Sequence, residues 1–74
     1  MGPGDGDVVL SITWHPVGLG GRGGLARISH LDGREDRRPM DRSQALDLAT
    51  AVFGDERIER TLSGKGVEWA RSAN

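Results

Sequence analysis

Alternation of apolar and polar residues predicts a β-strand near the start of the chain. One set of alternate positions in the stretch VVLSITWH is wholly apolar and consists of Val8, Leu10, Ile12 and Trp14. Side chains of a strand point to opposite faces in turn, so this set is expected on the buried face. Pro16 lacks the amide hydrogen that pairs neighbouring strands, and we expect it to end the strand.

A glycine-rich stretch separates this strand from a second one. Residues 17–24 contain five glycines and residues 25–31, LARISHL, form the second, weaker strand. Two consecutive strands joined by such a loop most simply form an antiparallel hairpin. A hairpin centred on Gly20 would pair His15 with Leu25 and Leu10 with His30. After a turn at residues 32–33, residues 34–38 are either a short edge strand or a loop.

The clearest element is a helix between Asp41 and Gly54. Asp41 is a favourable N-cap, and Gln44 three residues later completes a capping-box pattern. Gly54 stands where a C-terminal cap belongs. Six apolar residues at helical spacing form one stripe: Ala45, Leu46, Leu48, Ala49, Val52 and Phe53. An amphipathic helix of this kind packs on a sheet through its stripe.

The last third of the chain predicts a second hairpin. Ile58 and Leu62 are four residues apart, which suits a helix, but they also share one face of a strand. Residues 63–66 suit a turn and residues 67–71 alternate as a strand, so we favour a hairpin. The sequence thus predicts an α+β fold, a small antiparallel sheet (β-β-α-β-β) covered on one face by a single helix. We expect a disordered tail at 1–7, one domain at 8–71 and a frayed end at 72–74.

Composition narrows the classes of protein. The chain has 74 residues, 35% of them hydrophobic, and no cysteine. Disulfide scaffolds and thiolate metal sites are therefore excluded. The core is thin, so we expect a homodimer or docking on a partner as a further source of stability. There is no apolar run of transmembrane length, and residues 1–7 have no signal-peptide character. We expect a cytoplasmic protein that does not bind membranes.

The charged residues supply the candidate contacts. The chain has nine arginines and one lysine against eleven acidic residues, which gives a net charge of −1. This balance does not predict the strongly basic surface that is typical of nucleic-acid binding. The arginine excess reflects either a GC-rich coding sequence or recognition of phosphate or carboxylate groups. On the second interpretation, four arginines in predicted loops are the candidate partner-binding residues: Arg22, Arg34, Arg37 and Arg38.

Signals for catalysis or cofactor binding are weak. Residues 18–23 match the glycine pattern of dinucleotide-binding proteins, but a strand follows where that site requires a helix. His15 and His30 are the only histidines, and no serine lies in the context of a nucleophile. We therefore expect no cofactor, no metal and no catalytic residue. An enzyme would require a concave polar site around one of the two histidines.

Two resemblances bear on function. The segments DRSQALDLA and GDERIERTLSGKGVEW resemble the C-terminal half of small uncharacterised bacterial ββαβ domains, in a match that covers residues 25–71. These domains have no assigned activity, so the resemblance implies no functional residues. In size and element order, the chain is also similar to small phage-encoded inhibitors, including anti-CRISPR proteins.

The leading hypothesis is a non-catalytic interaction module that binds a protein partner, as a small inhibitor or adaptor in a phage or defence setting. The alternative is a small nucleic-acid-binding domain that uses the same arginines together with the open face of the sheet. Phosphate neutralisation would make that binding strongly salt-dependent.

Overall fold

The computed structural model describes residues 8–18 and 23–72. Its elements are β1 (Val9–Val17), β2 (Gly23–His30), β3 (Glu35–Pro39), α1 (Arg42–Phe53), β4 (Arg57–Thr61) and β5 (Val67–Arg71). The strands form one antiparallel sheet in the order β3-β2-β1-β5-β4, which confirms the predicted α+β class with a single helix. Residues 1–7, where a disordered tail is predicted, residues 19–22 of the predicted glycine-rich loop and residues 73–74 lie outside the described ranges.

A β-bulge changes which residues of β1 face the core. Val9 pairs with His30 and Ser11 pairs with the adjacent Ser29, so Leu10 is the extra residue. Val9 packs against the core, while Val8 and Leu10 are 42% and 49% exposed. The prediction that Val8 and Leu10 face the core, and that Leu10 pairs with His30, is therefore wrong, because the bulge shifts the alternation by one residue.

Pro16 does not end β1, contrary to the prediction. The strand continues to Val17, and Pro16 pairs with Gly24 in the β1–β2 hairpin. Strand β5 pairs with β1 only as far as Trp14, so beyond that residue β1 has a described neighbour on one side only. A proline is tolerated at such a position because the unpaired side of a strand needs no amide donor. The predicted pairing of His15 with Leu25 is confirmed.

The charged segment after the turn is a strand rather than a loop. Strand β3 pairs with β2, with Arg27 opposite Arg37 and Ile28 opposite Asp36. It forms one edge of the sheet, so of the two predicted alternatives the edge strand is correct and the loop is not. Three strands therefore precede the helix. The sequence of β3 has little β-propensity of its own. Pairing with β2, which has β1 on its other side, makes this segment a strand.

The helix matches its prediction closely. Asp41 accepts a 2.8 Å hydrogen bond from the Gln44 amide, and the Gln44 side chain accepts one of 3.1 Å from the Asp41 amide. Gly54 ends the helix with a φ of +60°, a value that favours glycine. A short 3-10 turn at Gly54–Glu56 leads into β4, so the helix packs across the sheet and the chain re-enters it at the other edge.

The core lies between α1 and one face of the sheet. Its buried members are Ile12, Trp14, Ala26, Ile28, Ala45, Ala49, Phe53, Val67 and Trp69. Both tryptophans are almost completely buried, Trp14 as predicted, and their indole N–H groups are hydrogen-bonded. Trp14 donates to the Met40 carbonyl and Trp69 to the Glu59 carboxylate, each at 2.8 Å. These bonds tie the centre of the sheet to the start of the helix and to the outer strand β4.

Candidate functional site

The face of the sheet opposite the helix is a polar surface. We call it the open face, since no helix covers it within the described ranges. Its central strands contribute Ser11, Thr13, His15, Leu25, Arg27, Ser29, Glu68 and Ala70, by their alternation with the core residues. The outer strands add Glu35, Arg37, Ile58 and Arg60. The surface is thus built from all five strands.

One row of residues crosses the whole open face. Thr13 at the centre pairs with Arg27 on one side and Glu68 on the other. Arg37 and Arg60 follow at the two edges. Neighbouring strands are about 4.8 Å apart, so the row spans about 19 Å with a cation at each end.

Glutamates hold these arginines in place. Glu35 lies 3.8 Å from Arg27 and 3.3 Å from Arg37, and Glu68 lies 2.5 Å from Arg60. Three arginines against two glutamates give the open face a formal net charge of +1. The arginine side chains are roughly half or more exposed, so they remain accessible to a partner while the ion pairs restrict their conformations.

The four arginines predicted as contacts do not form one cluster. Arg37 lies on the open face and Arg38 on the helix side, because consecutive strand residues point to opposite faces. Arg34 lies in the turn before β3, where its amide donates to Asp32 and its carbonyl accepts from the His30 amide. Arg22 falls outside the described ranges.

Arg27 and Arg60 belong to the surface but were not among the predicted contacts. The alternation in LARISH already places Arg27 opposite Ala26 and Ile28, so the signal was present in the sequence. The position of Arg60 depends on residues 57–61 forming a strand, because in a helix its side chain would lie on a different face. Runs of arginine are a stronger signal in a sequence than single arginines within strands, so neither residue stood out.

The two histidines lie on opposite faces. His15 lies on the open face above Gly66, where a β-carbon would come within 2.5 Å of the His15 Cδ2 atom. His30 lies on the helix side and is buried, and its Nε2 lies 2.9 Å from the Asp36 Oδ2. They cannot share a ligand. Within the described residues, no group of three or more His, Asp or Glu side chains could hold a metal ion.

A second feature is a cavity on the helix side, which we call the helix-side cavity. It has a volume of about 170 Å³ and lies between β1, β2, β3 and the second half of α1. Its apolar wall consists of Val9, Ile12, Ile28, Leu48 and Val52. The β1 bulge contributes directly, because it turns Val9 towards the helix in place of Leu10.

The polar wall of the cavity consists of His30, Asp36 and Arg38. The Nδ1 atom of His30 is buried and has no hydrogen-bond partner. Leaving a buried polar atom unpaired costs about 1–3 kcal/mol, and buried polar atoms are nearly always hydrogen-bonded. The unpaired Nδ1 is therefore an unusual feature of this wall. The Arg38 side chain makes no ion pair or hydrogen bond with any other described residue.

This cavity is concave and includes a histidine, which is the arrangement an enzyme would require. The lining supplies a His–Asp pair but no hydroxyl or thiol group to act as a nucleophile. The residues present can bind and orient a ligand.

Comparison of the chain with protein-family models, curated proteins and solved structures gives no match. No helix in the described ranges combines the length and apolar character needed to cross a lipid bilayer.

Proposed function

We propose that this protein is a non-catalytic binding module, an inhibitor or adaptor, that engages a protein partner through the open face. The observation that carries the proposal is the row from Arg37 to Arg60, in which charged side chains cross an uncovered five-stranded sheet. Ion pairs with Glu35 and Glu68 restrict the arginine rotamers, which reduces the entropy lost when a partner binds.

The distribution of charge favours a protein over a nucleic acid. Glu35 and Glu68 lie between the arginines, so a continuous polyphosphate would meet carboxylates as well as guanidinium groups. A protein surface with interspersed charges of both signs can complement this arrangement. The matching partner surface is predominantly acidic, with one or two basic side chains opposite the glutamates.

The aromatic residues support the same choice. Single-stranded nucleic acids bind to open sheet faces by stacking bases on exposed aromatic side chains. The chain has three aromatic residues, Trp14, Phe53 and Trp69, and all of them are buried on the helix side. The open face therefore has no phenylalanine, tyrosine or tryptophan ring on which a base could stack.

The proposal is tested by capture from the native host followed by binding measurements with the identified partner. Tagged wild-type protein is incubated with nuclease-treated lysate at about 150 mM salt. Arg27→Thr and Arg60→Thr remove charges from the open face and keep a residue suited to strands. Arg42→Gln removes an exposed arginine from the helix side and serves as the control.

We expect a stoichiometric protein partner with wild type and Arg42→Gln, and at least tenfold weaker binding of that partner to each open-face variant. Equal binding by all variants would exclude the open face as the contact surface. Mobility shifts with DNA or RNA at about 50 mM salt that vanish at higher salt would instead identify a nucleic-acid binder. A wild-type dimer that Arg27→Thr converts to monomer would assign the face to a second copy.

A further inference from the structure

We propose that the helix-side cavity is a binding site for a small apolar carboxylate. The cavity lies on the opposite side of the sheet from the open face, so this inference is independent of the protein-binding proposal. It rests on three observations: the volume of the cavity, an arginine in its wall that has no ion-pair partner among the described residues, and a buried histidine nitrogen that lacks a hydrogen-bond partner there.

The volume and the apolar wall define the body of the ligand. The cavity of about 170 Å³ is bounded by Val9, Ile12, Ile28, Leu48 and Val52. An apolar cavity of about 150 Å³ in another protein accommodates benzene. A branched alkyl chain or a single ring of five or six carbons therefore fits this space and would contact the side chains of both the sheet and the helix.

Arg38 defines the charge of the ligand. It is one of the residues that line the cavity, and its guanidinium group has no carboxylate partner among the described residues. The acidic residue in the wall, Asp36, is already bound to His30 at 2.9 Å. A ligand that carries one carboxylate would neutralise Arg38, and the planar guanidinium group matches both carboxylate oxygens at once.

His30 provides the second polar contact. Its Nε2 bonds to Asp36, which fixes the orientation of the ring and leaves Nδ1 buried and unpaired within the cavity wall. Because Nε2–H donates to the Asp36 carboxylate, Nδ1 can donate to a ligand carboxylate oxygen only in the imidazolium form of the ring, in which both nitrogens carry a proton. The carboxylate would thus be held by the Arg38 guanidinium group and would accept a second hydrogen bond from the Nδ1–H of the His30 imidazolium.

The test uses 4-methylpentanoate as the probe and the full-length protein. Two-dimensional methyl and amide NMR follows a titration, in which a ligand of eight non-hydrogen atoms is expected to have a dissociation constant of roughly 1 mM. 4-Methylpentanamide has the same shape without the charge, and acetate has the charge without the apolar body. The ¹⁵N shift of His30 Nδ1 reports directly on whether that atom gains a partner.

We expect shifts confined to the methyl groups of Val9, Ile28, Leu48 and Val52, together with a change at His30 Nδ1. The amide and acetate should bind at least tenfold more weakly than 4-methylpentanoate. Arg38→Gln should lose at least tenfold in affinity for the carboxylate, whereas Arg42→Gln should keep it. Val52→Phe should fill the cavity and abolish binding.

Three results would overturn the proposal. One is the absence of shifts around the cavity at about ten times the expected constant. Another is equal affinity for the carboxylate and its amide, which would remove the role of Arg38. The third is unchanged binding by Arg38→Gln. Circular dichroism verifies that each variant is folded, and should Val52→Phe unfold, the Arg38→Gln and amide comparisons still decide the outcome.

Discussion

The indole ring of Trp14 lies against Gly24 of the neighbouring strand, in the space that a β-carbon on Gly24 would occupy. The ring cannot move away freely, because its N–H donates to the Met40 carbonyl and the Met40 amide donates to the Gly24 carbonyl. Trp14, Gly24 and Met40 thus close a small hydrogen-bonded unit where β1, β2 and the residue before the helix cap meet.

This relationship predicts opposite results at two adjacent glycines. Gly24→Ala forces the added methyl group into the indole ring and should lower the free energy of unfolding by about 2–3 kcal/mol. Gly23→Ala is the matched control, since its β-carbon would have only the Val17 carbonyl nearby, at 3.9 Å. That variant should stay within about 0.5 kcal/mol of wild type. Urea unfolding monitored by tryptophan fluorescence compares the two, and equal stabilities would contradict the proposed packing.

Phe53 should be essential for folding. It is 3% exposed and is the last residue of α1 in the core. Truncation to alanine should cost roughly 3–5 kcal/mol. A domain this small has a net stability of only a few kcal/mol, so Phe53→Ala should be largely unfolded at room temperature. Asp47→Ala, on the exposed side of the same helix, should melt like wild type by circular dichroism. A cooperative wild-type-like melt of Phe53→Ala would show that the helix packs through a different side.

The capping box should make a measurable contribution to stability. Asp41→Ala removes the acceptor for the Gln44 amide and should lower the unfolding free energy by about 1 kcal/mol. Ser43→Ala, in the same turn, changes an exposed side chain outside the box and should have an effect of less than about 0.5 kcal/mol. Thermal melts of the two variants make the comparison, and a larger loss for Ser43→Ala would mean that the helix begins elsewhere.

The hydrogen bond between Trp69 and Glu59 should stabilise the β4–β5 hairpin. Glu59→Leu leaves the buried indole N–H without an acceptor and should cost roughly 1–2 kcal/mol. Glu59→Gln keeps a carbonyl oxygen within reach of the indole N–H and should retain most of the stability. Because it removes the ion pair with Arg42, this variant distinguishes the contribution of the hydrogen bond from that of the ion pair. Chemical denaturation measures both, and a Gln variant as unstable as the Leu variant would assign the effect to charge.

Local signals in the sequence predicted the elements whose causes are local. The cap at Asp41, the apolar stripe ending at Phe53 and the turn between β4 and β5 all depend on residues close together in the chain. The bulge at Leu10 could not be predicted in this way, because Val8 and Leu10 are as apolar as Val9. Pairing with β2 decides which of them faces the helix.

The two surfaces with proposed functions depend on long-range pairing, which is why the sequence did not identify them. The row through Thr13 brings Arg27 and Arg60 together from strands that are distant in the chain. The helix-side cavity likewise joins Arg38 and His30 to residues of α1. Neither arrangement follows from the spacing of residues along the chain, since strand order and register fix both.

The charged outer strands also limit how the protein can associate with itself. Strand β3 reads EDRRP and strand β4 reads RIERT, so a second copy that approached either edge would bring charged side chains together. Pro39 further lacks an amide hydrogen for such pairing. Growth of the folded sheet from one chain to the next is therefore disfavoured at both edges, which guards the domain against edge-to-edge aggregation.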